Sequence, residues 1–174
     1  MSGLIAVAVV GLAVFGAWYF ILRDTNPLPD ELLGAPTAEI EELQDMADAL
    51  NDVAGSLGGD AEVNVAFYGT EQTPEYLVMT AEIAGLPYSE IEAQFANEVP
   101  GQLEAAGASQ TESVEETIGA DPATCVAYEG GGRSIGMCYW GHDGYFGMVM
   151  DLDGSGDAAS ALEAATAVSS ELAG

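Results

Sequence analysis

The chain has 174 residues, 29 Asp plus Glu against two Lys plus Arg, and a formal net charge of -27. That length is about one domain, and so negative a surface excludes nucleic-acid binding and polybasic docking to anionic lipid, both of which need Lys and Arg to replace counterions. A composition 49% hydrophobic and 8% aromatic argues against an acidic disordered tail and is enough to build a core.

All 29 acids lie from Asp24 onward, where Arg133 is the only base, so the chain divides into two physically different pieces. Leu4 to Leu22 carries no charge and at ~1.5 Å rise per residue would span roughly 28 Å of hydrocarbon. The spacing predicts a transmembrane anchor over residues 1–22, with Trp18, Tyr19 and Arg23 at the headgroups. A cleaved secretory signal fits less well, because it expects a basic start, a shorter apolar stretch and a small-residue cleavage site. Residues 23–36, with Pro27, Pro29 and Pro36, read as a short stiff tether.

Residues 37–174 then read as one acidic domain. Ile40, Leu43, Ala47, Leu50, Ala54 and Leu57 recur at helical spacing between Thr37 as N-cap and Gly58 as the stop. Residues 62–69 and 75–84 read as strands, the second alternating Leu77, Met79, Ala81 and Ile83 against Tyr76, Val78, Thr80 and Glu82. Ser89-Glu90-Ile91-Glu92 is a capping box that opens a helix with Ile91, Phe95, Val99 and Leu103 inward. Pro100-Gly101 is expected to kink or divide that helix. Residues 111–118 are mostly polar and predict an edge strand.

Two turns set the register of the next stretch. Counting outward from a two-residue turn at Gly131-Gly132 places Cys125 opposite Cys138 as a non-hydrogen-bonded pair, and predicts a disulfide. A turn at Asp143-Gly144 sets Trp140 opposite Gly147 and Tyr139 opposite Met148. Val126, Tyr128, Ile135, Met137, Tyr139, Phe146, Met148 and Met150 then share one face, expected to be the core side. The cysteines, Trp140 and Val149 share the other, where the indole can cover the glycine opposite it. Asp157 caps a last helix with Leu162, Ala165, Ser169 and Leu172 as its buried stripe. The fold class expected is α+β: an N-terminal transmembrane helix, then one antiparallel-sheet domain with about three packed helices.

Candidate chemistry is sparse, and no catalytic residue is nominated. His142 is the one histidine and sits at a hairpin tip, the ordinary place for a polar turn residue. Gly130-Gly131-Gly132 joins strand to strand without a P-loop Lys and is a turn. Asp151, Asp153, Ser155 and Asp157, with Gly156 in the sixth place, imitate the first half of an EF-hand calcium loop. The twelfth place is Leu162, where a bidentate Glu is required, so a loop with a capping Asp is the plainer reading and calcium the alternative cofactor.

Disulfides persist outside the cytoplasm, which turns the domain outward; Arg23 beside the anchor favours the opposite orientation. The cysteine strand, the Gly-rich turn, Cys138-Tyr139-Trp140, Asp143-Gly144 and Gly147-Met148-Val149 resemble a pattern in actinobacterial membrane-anchored or secreted proteins, most of them uncharacterised. The likeness covers roughly the last third of the chain and the overall layout, from an N-terminal membrane segment to a C-terminal helix. It implies location and architecture, and carries over no catalytic residue. The expectation is a single-pass, membrane-anchored, extracytoplasmic accessory or binding protein without catalysis, serving as a small subunit of an envelope or membrane complex; a cation-binding module is the alternative.

Overall fold

The computed structural model describes residues 28–38, 61–70, 72–83, 85, 87–153 and 156–172. They form one eight-stranded antiparallel sheet with a helix on each face. The strands are β1 (Glu31–Leu32), β2 (Ala35–Ala38), β3 (Ala61–Thr70), β4 (Thr73–Ile83), β5 (Ser109–Ile118), β6 (Asp121–Gly130), β7 (Arg133–His142) and β8 (Tyr145–Asp151). The helices are α1 (Tyr88–Ala105), between β4 and β5, and α2 (Ala158–Leu172), after β8. Across the sheet the order is β1-β2-β3-β4-β8-β7-β6-β5.

This corrects the expected fold class. The described residues are dominated by a single sheet and contain two helices, where about three helices packed on a smaller sheet were expected. The expected transmembrane anchor lies outside the described residues, and no described helix is long and apolar enough to cross a membrane.

The first correction begins in the proline-rich segment. Residues 31–38, expected as tether and helix cap, make a short hairpin whose turn places both Leu33 (φ 51°) and Gly34 (φ 89°) in the left-handed region. Thr37 is a strand residue paired with Tyr68 rather than an N-cap. Its amide and hydroxyl both donate to the Asp30 carbonyl, at 3.0 and 2.8 Å, and the Tyr68 hydroxyl donates to the Pro29 carbonyl at 2.8 Å. The remainder of the helix expected from Thr37 to Gly58 lies outside the described residues.

The two turn-based registers hold. Cys125 pairs with Cys138, and Trp140 with Gly147. Gly131 and Gly132 both take positive φ, 63° and 77°, as the mirror-image turn of a two-residue hairpin requires. Cys125 and Cys138 are joined, with Cα atoms 4.0 Å apart.

Strand alternation divides the apolar residues into two cores. Val126, Tyr128, Ile135, Met137, Tyr139, Phe146, Met148 and Met150 meet Tyr88, Ile91 and Leu103 of α1. On the opposite face the disulfide, Trp140, Val78 and Val149 meet Ala158, Ala161, Ala164, Ala165 and Val168 of α2. The face opposite the expected core side is therefore a second buried core. Its helix uses alanines where Leu162 and Leu172 were expected to lead; those leucines are only partly buried.

Antiparallel steps from β4 through β8, β7 and β6 leave β5 parallel to β4. Helix α1 is thus a crossover that must pass over three intervening strands to reach the far edge. Pro100 does not divide it.

Candidate functional site

The crossover path of α1 creates the site. A crevice of about 440 Å³ opens between the helix and the β5–β6–β7 part of the sheet, within the size range of small-ligand sites. Its roof is one side of α1, from Ser89 and Glu92 through Ala96 to Pro100. Its floor comes from alternate residues of β6 and β7, Thr124, Val126, Tyr128, Met137 and Tyr139, and the β5 edge adds Gln110, Ser113 and Glu115. Small Ala93 and Ala96 on the roof leave the space open.

Oxygen groups gather toward the end where α1 begins. The Thr124 hydroxyl donates to Glu92 Oε1 at 3.3 Å, tying strand to helix. Burial pushes the Tyr139 hydroxyl up, a hydrogen bond with Thr124 partly offsets this, and the Glu92 and Glu115 charges raise it further. Tyr128 is pushed up to about 12, chiefly by burial. Both phenols therefore stay protonated in the crevice wall at neutral pH.

Tyr88 opens α1 with its ring over Gly141, so closely that a Cβ there would lie 2.9 Å from two ring carbons. Its side chain is buried and its hydroxyl has no hydrogen-bond partner. Burial raises its pKa first, with contributions from Glu92, Tyr139 and Asp121. Pro100 alters the backbone bonding of the roof. Lacking an N–H, it leaves the Ala96 carbonyl without its usual donor four residues on.

A second cleft, about 400 Å³, lies beside the β7–β8 turn on the α2 side, between Glu82, Asp121, His142, Asp143, Tyr145 and the last turn of α2. His142 Nδ1 faces Asp121 Oδ2 at 3.1 Å and its ring stacks on Tyr145 with centroids 5.4 Å apart. Asp143, read from sequence only as a turn residue, also accepts the Tyr88 backbone N–H at 3.0 Å and so caps α1. The Ser89-to-Glu92 capping box lies one residue inside the helix instead of at its cap.

The residues of the calcium-like loop are engaged locally. Asp151 is buried at the end of β8 and accepts the Asp153 backbone N–H at 3.2 Å. Asp157 caps α2 by accepting the Ser160 N–H at 2.8 Å, while the Ser160 hydroxyl accepts the Asp157 N–H at 3.1 Å. Ser155 lies outside the described residues. Among the described residues no group of three or more His, Cys, Asp or Glu side chains is arranged to hold a metal ion.

No family model, curated protein or solved structure matches this chain. The crevice was not legible in the sequence, because its walls come from segments separated by α1 and two hairpins. The signal that could have exposed it is the pairing of Ala93 and Ala96 on a helix with Thr124 and Tyr139 on a core face, small or polar residues where a closed interface uses large apolar ones.

Proposed function

We propose that this chain is a membrane-anchored, extracytoplasmic binding module that takes a ligand or a partner's side chain in the crevice beneath α1, acting as a small accessory subunit of an envelope complex. The observation that carries the binding part is the crevice itself, an open space between helix and sheet with an apolar floor and polar groups converging at one end. The location rests on the apolar run from Leu4 to Leu22 in the sequence and on the disulfide, a bond that persists in oxidising compartments. The likeness of the cysteine hairpin to actinobacterial envelope proteins points the same way.

Maleimide labelling of the denatured, unreduced protein taken from membranes tests the location. Cys125 and Cys138 are expected to label only after reduction. Free labelling without reductant would put the domain in the cytoplasm and remove the envelope from this reading.

A further inference from the structure

We infer that the crevice beneath α1 is a site for an organic cation on an apolar stem, an alkylammonium or alkylguanidinium group. This rests on the reading of the crevice as the binding site and gives it a chemical class. The floor supplies the stem's surroundings, since Val126, Met137 and the rings of Tyr128 and Tyr139 are apolar or aromatic, with Val99 above. Aromatic faces also attract cations directly.

The polar end supplies acceptors and almost no competing charge. Glu92 and Glu115 are carboxylates in the lining, and the Ala96 carbonyl lacks its helical donor. No Lys, Arg or His lines the crevice. A ligand carboxylate or phosphate would meet two like charges; an N–H-bearing cation would meet acceptors on roof and edge together.

The Tyr88 hydroxyl is an observation independent of the acids. It is a buried polar group without a hydrogen-bond partner on the first residue of α1, at the end of the helix where Glu92 lies one turn on, and leaving such a group unmade costs free energy that a bound polar group can recover. Thr124 holds Glu92 over the sheet, so the carboxylate is positioned before any ligand arrives.

The same chemistry can come from a free amine or from a Lys or Arg side chain of a partner protein. The test uses the full chain in detergent, ¹³C-methyl-labelled at methionine, with the Met137 methyl as reporter of the crevice floor and Met79 as a core reporter away from it. The probes are butylguanidinium, a blocked Gly-Gly-Arg-Gly-Gly peptide, neutral butylurea and butanoate. Saturable movement of Met137 alone with butylguanidinium supports the site and a free-amine source. Tenfold tighter saturation with the peptide supports the site and a partner's side chain.

The double substitution Glu92→Gln, Glu115→Gln is expected to weaken binding at least tenfold, whereas Glu163→Gln on the exposed side of α2 leaves it within twofold. Ala96→Leu fills the space without altering charge and is expected to abolish the Met137 response, which keeps the test decisive if the double variant folds poorly. Equal weakening by Glu163→Gln would assign the effect to general attraction toward a polyanion and overturn the site. Movement of Met137 by butylurea as strongly as by butylguanidinium would leave the crevice a binding site and overturn the cation. No movement with any probe would overturn both readings.

Discussion

The two faces of the sheet are built from the same strands and solve the packing problem in opposite ways. On the α2 face small residues oppose large ones: a Cβ on Gly136 would lie 2.1 Å from the Asp157 carbonyl oxygen and 3.2 Å from Ala161, and one on Gly147 would lie 2.4 Å from the Trp140 indole. The alanines of α2 let the helix settle onto the disulfide and the indole with no room to spare. On the α1 face the helix is carried obliquely toward β5 by the need to cross three strands, and it closes over Ile91 and Leu103 while standing off the sheet at Ala96. One face has spent its apolar surface on tight closure; the other keeps part of it for something else.

The largest expected effect breaks the tight face. Trp140→Ala removes the largest fully buried side chain among the described residues and is expected to cost about 3–5 kcal/mol, read from the urea midpoint; a loss under ~1 kcal/mol would show that the α2 face tolerates voids. Replacing both cysteines by alanine opens a loop whose ends are 13 residues apart and is expected to cost about 3 kcal/mol in the chain-entropy view, by the same measurement.

A pair of substitutions sharpens the contrast. Ala161→Leu adds volume where none is free and is expected to destabilise by about 1–3 kcal/mol. Ala96→Leu adds the same atoms into the crevice and is expected to stay within ~0.5 kcal/mol of the parent. Equal costs would erase the distinction between the faces. Asp143→Ala, which strips the cap from α1, is expected to cost about 1 kcal/mol, with Asp143→Asn close to the parent because an amide oxygen still accepts the Tyr88 N–H.

The smallest effect is in the pH profile. Burial pushes the Asp151 carboxyl above its usual value, hydrogen bonds with Ser160 and the Asp153 N–H offset part of this, and the Asp153 charge raises it again. The folded state thus holds that proton more tightly than the unfolded state. Its contribution to stability is full below the ordinary aspartate value and is lost as pH rises through the raised one. Asp151→Asn is expected to remove this segment of the curve, measured by thermal unfolding across acidic pH; an unchanged profile would mean that Asp151 titrates alike in both states.

What the sequence made legible follows from where a single residue type settles the geometry. Gly131-Gly132 and Asp143-Gly144 fixed two registers, and with them the disulfide and the division of β6, β7 and β8 into two faces. The hairpin at residues 31–38 stayed hidden because Pro29 and Pro36 read as breakers, whereas both lie in or beside short edge pairings that proline tolerates. The stripe of α2 was mis-phased because leucine outweighs alanine in an apolar count, although the surface made by Gly136 and Trp140 admits only small side chains. The crevice depends on the angle at which α1 crosses, and no local pattern encodes that.

Asp143 has a consequence for the order in which the chain acquires its structure. It caps a helix whose first residue was made 55 positions earlier. At about 5–20 residues per second, synthesis delivers that cap roughly 3 to 11 seconds after Tyr88, long compared with the microseconds in which a helix forms and melts. During this interval α1 lacks its cap, and the core beneath it lacks Phe146, Met148 and Met150 of β8. Closure of the last hairpin therefore completes the start of an earlier helix, and a ribosome paused before Asp143 would hold a nascent chain with α1 uncapped and without β8, the strand that joins β4 to β7.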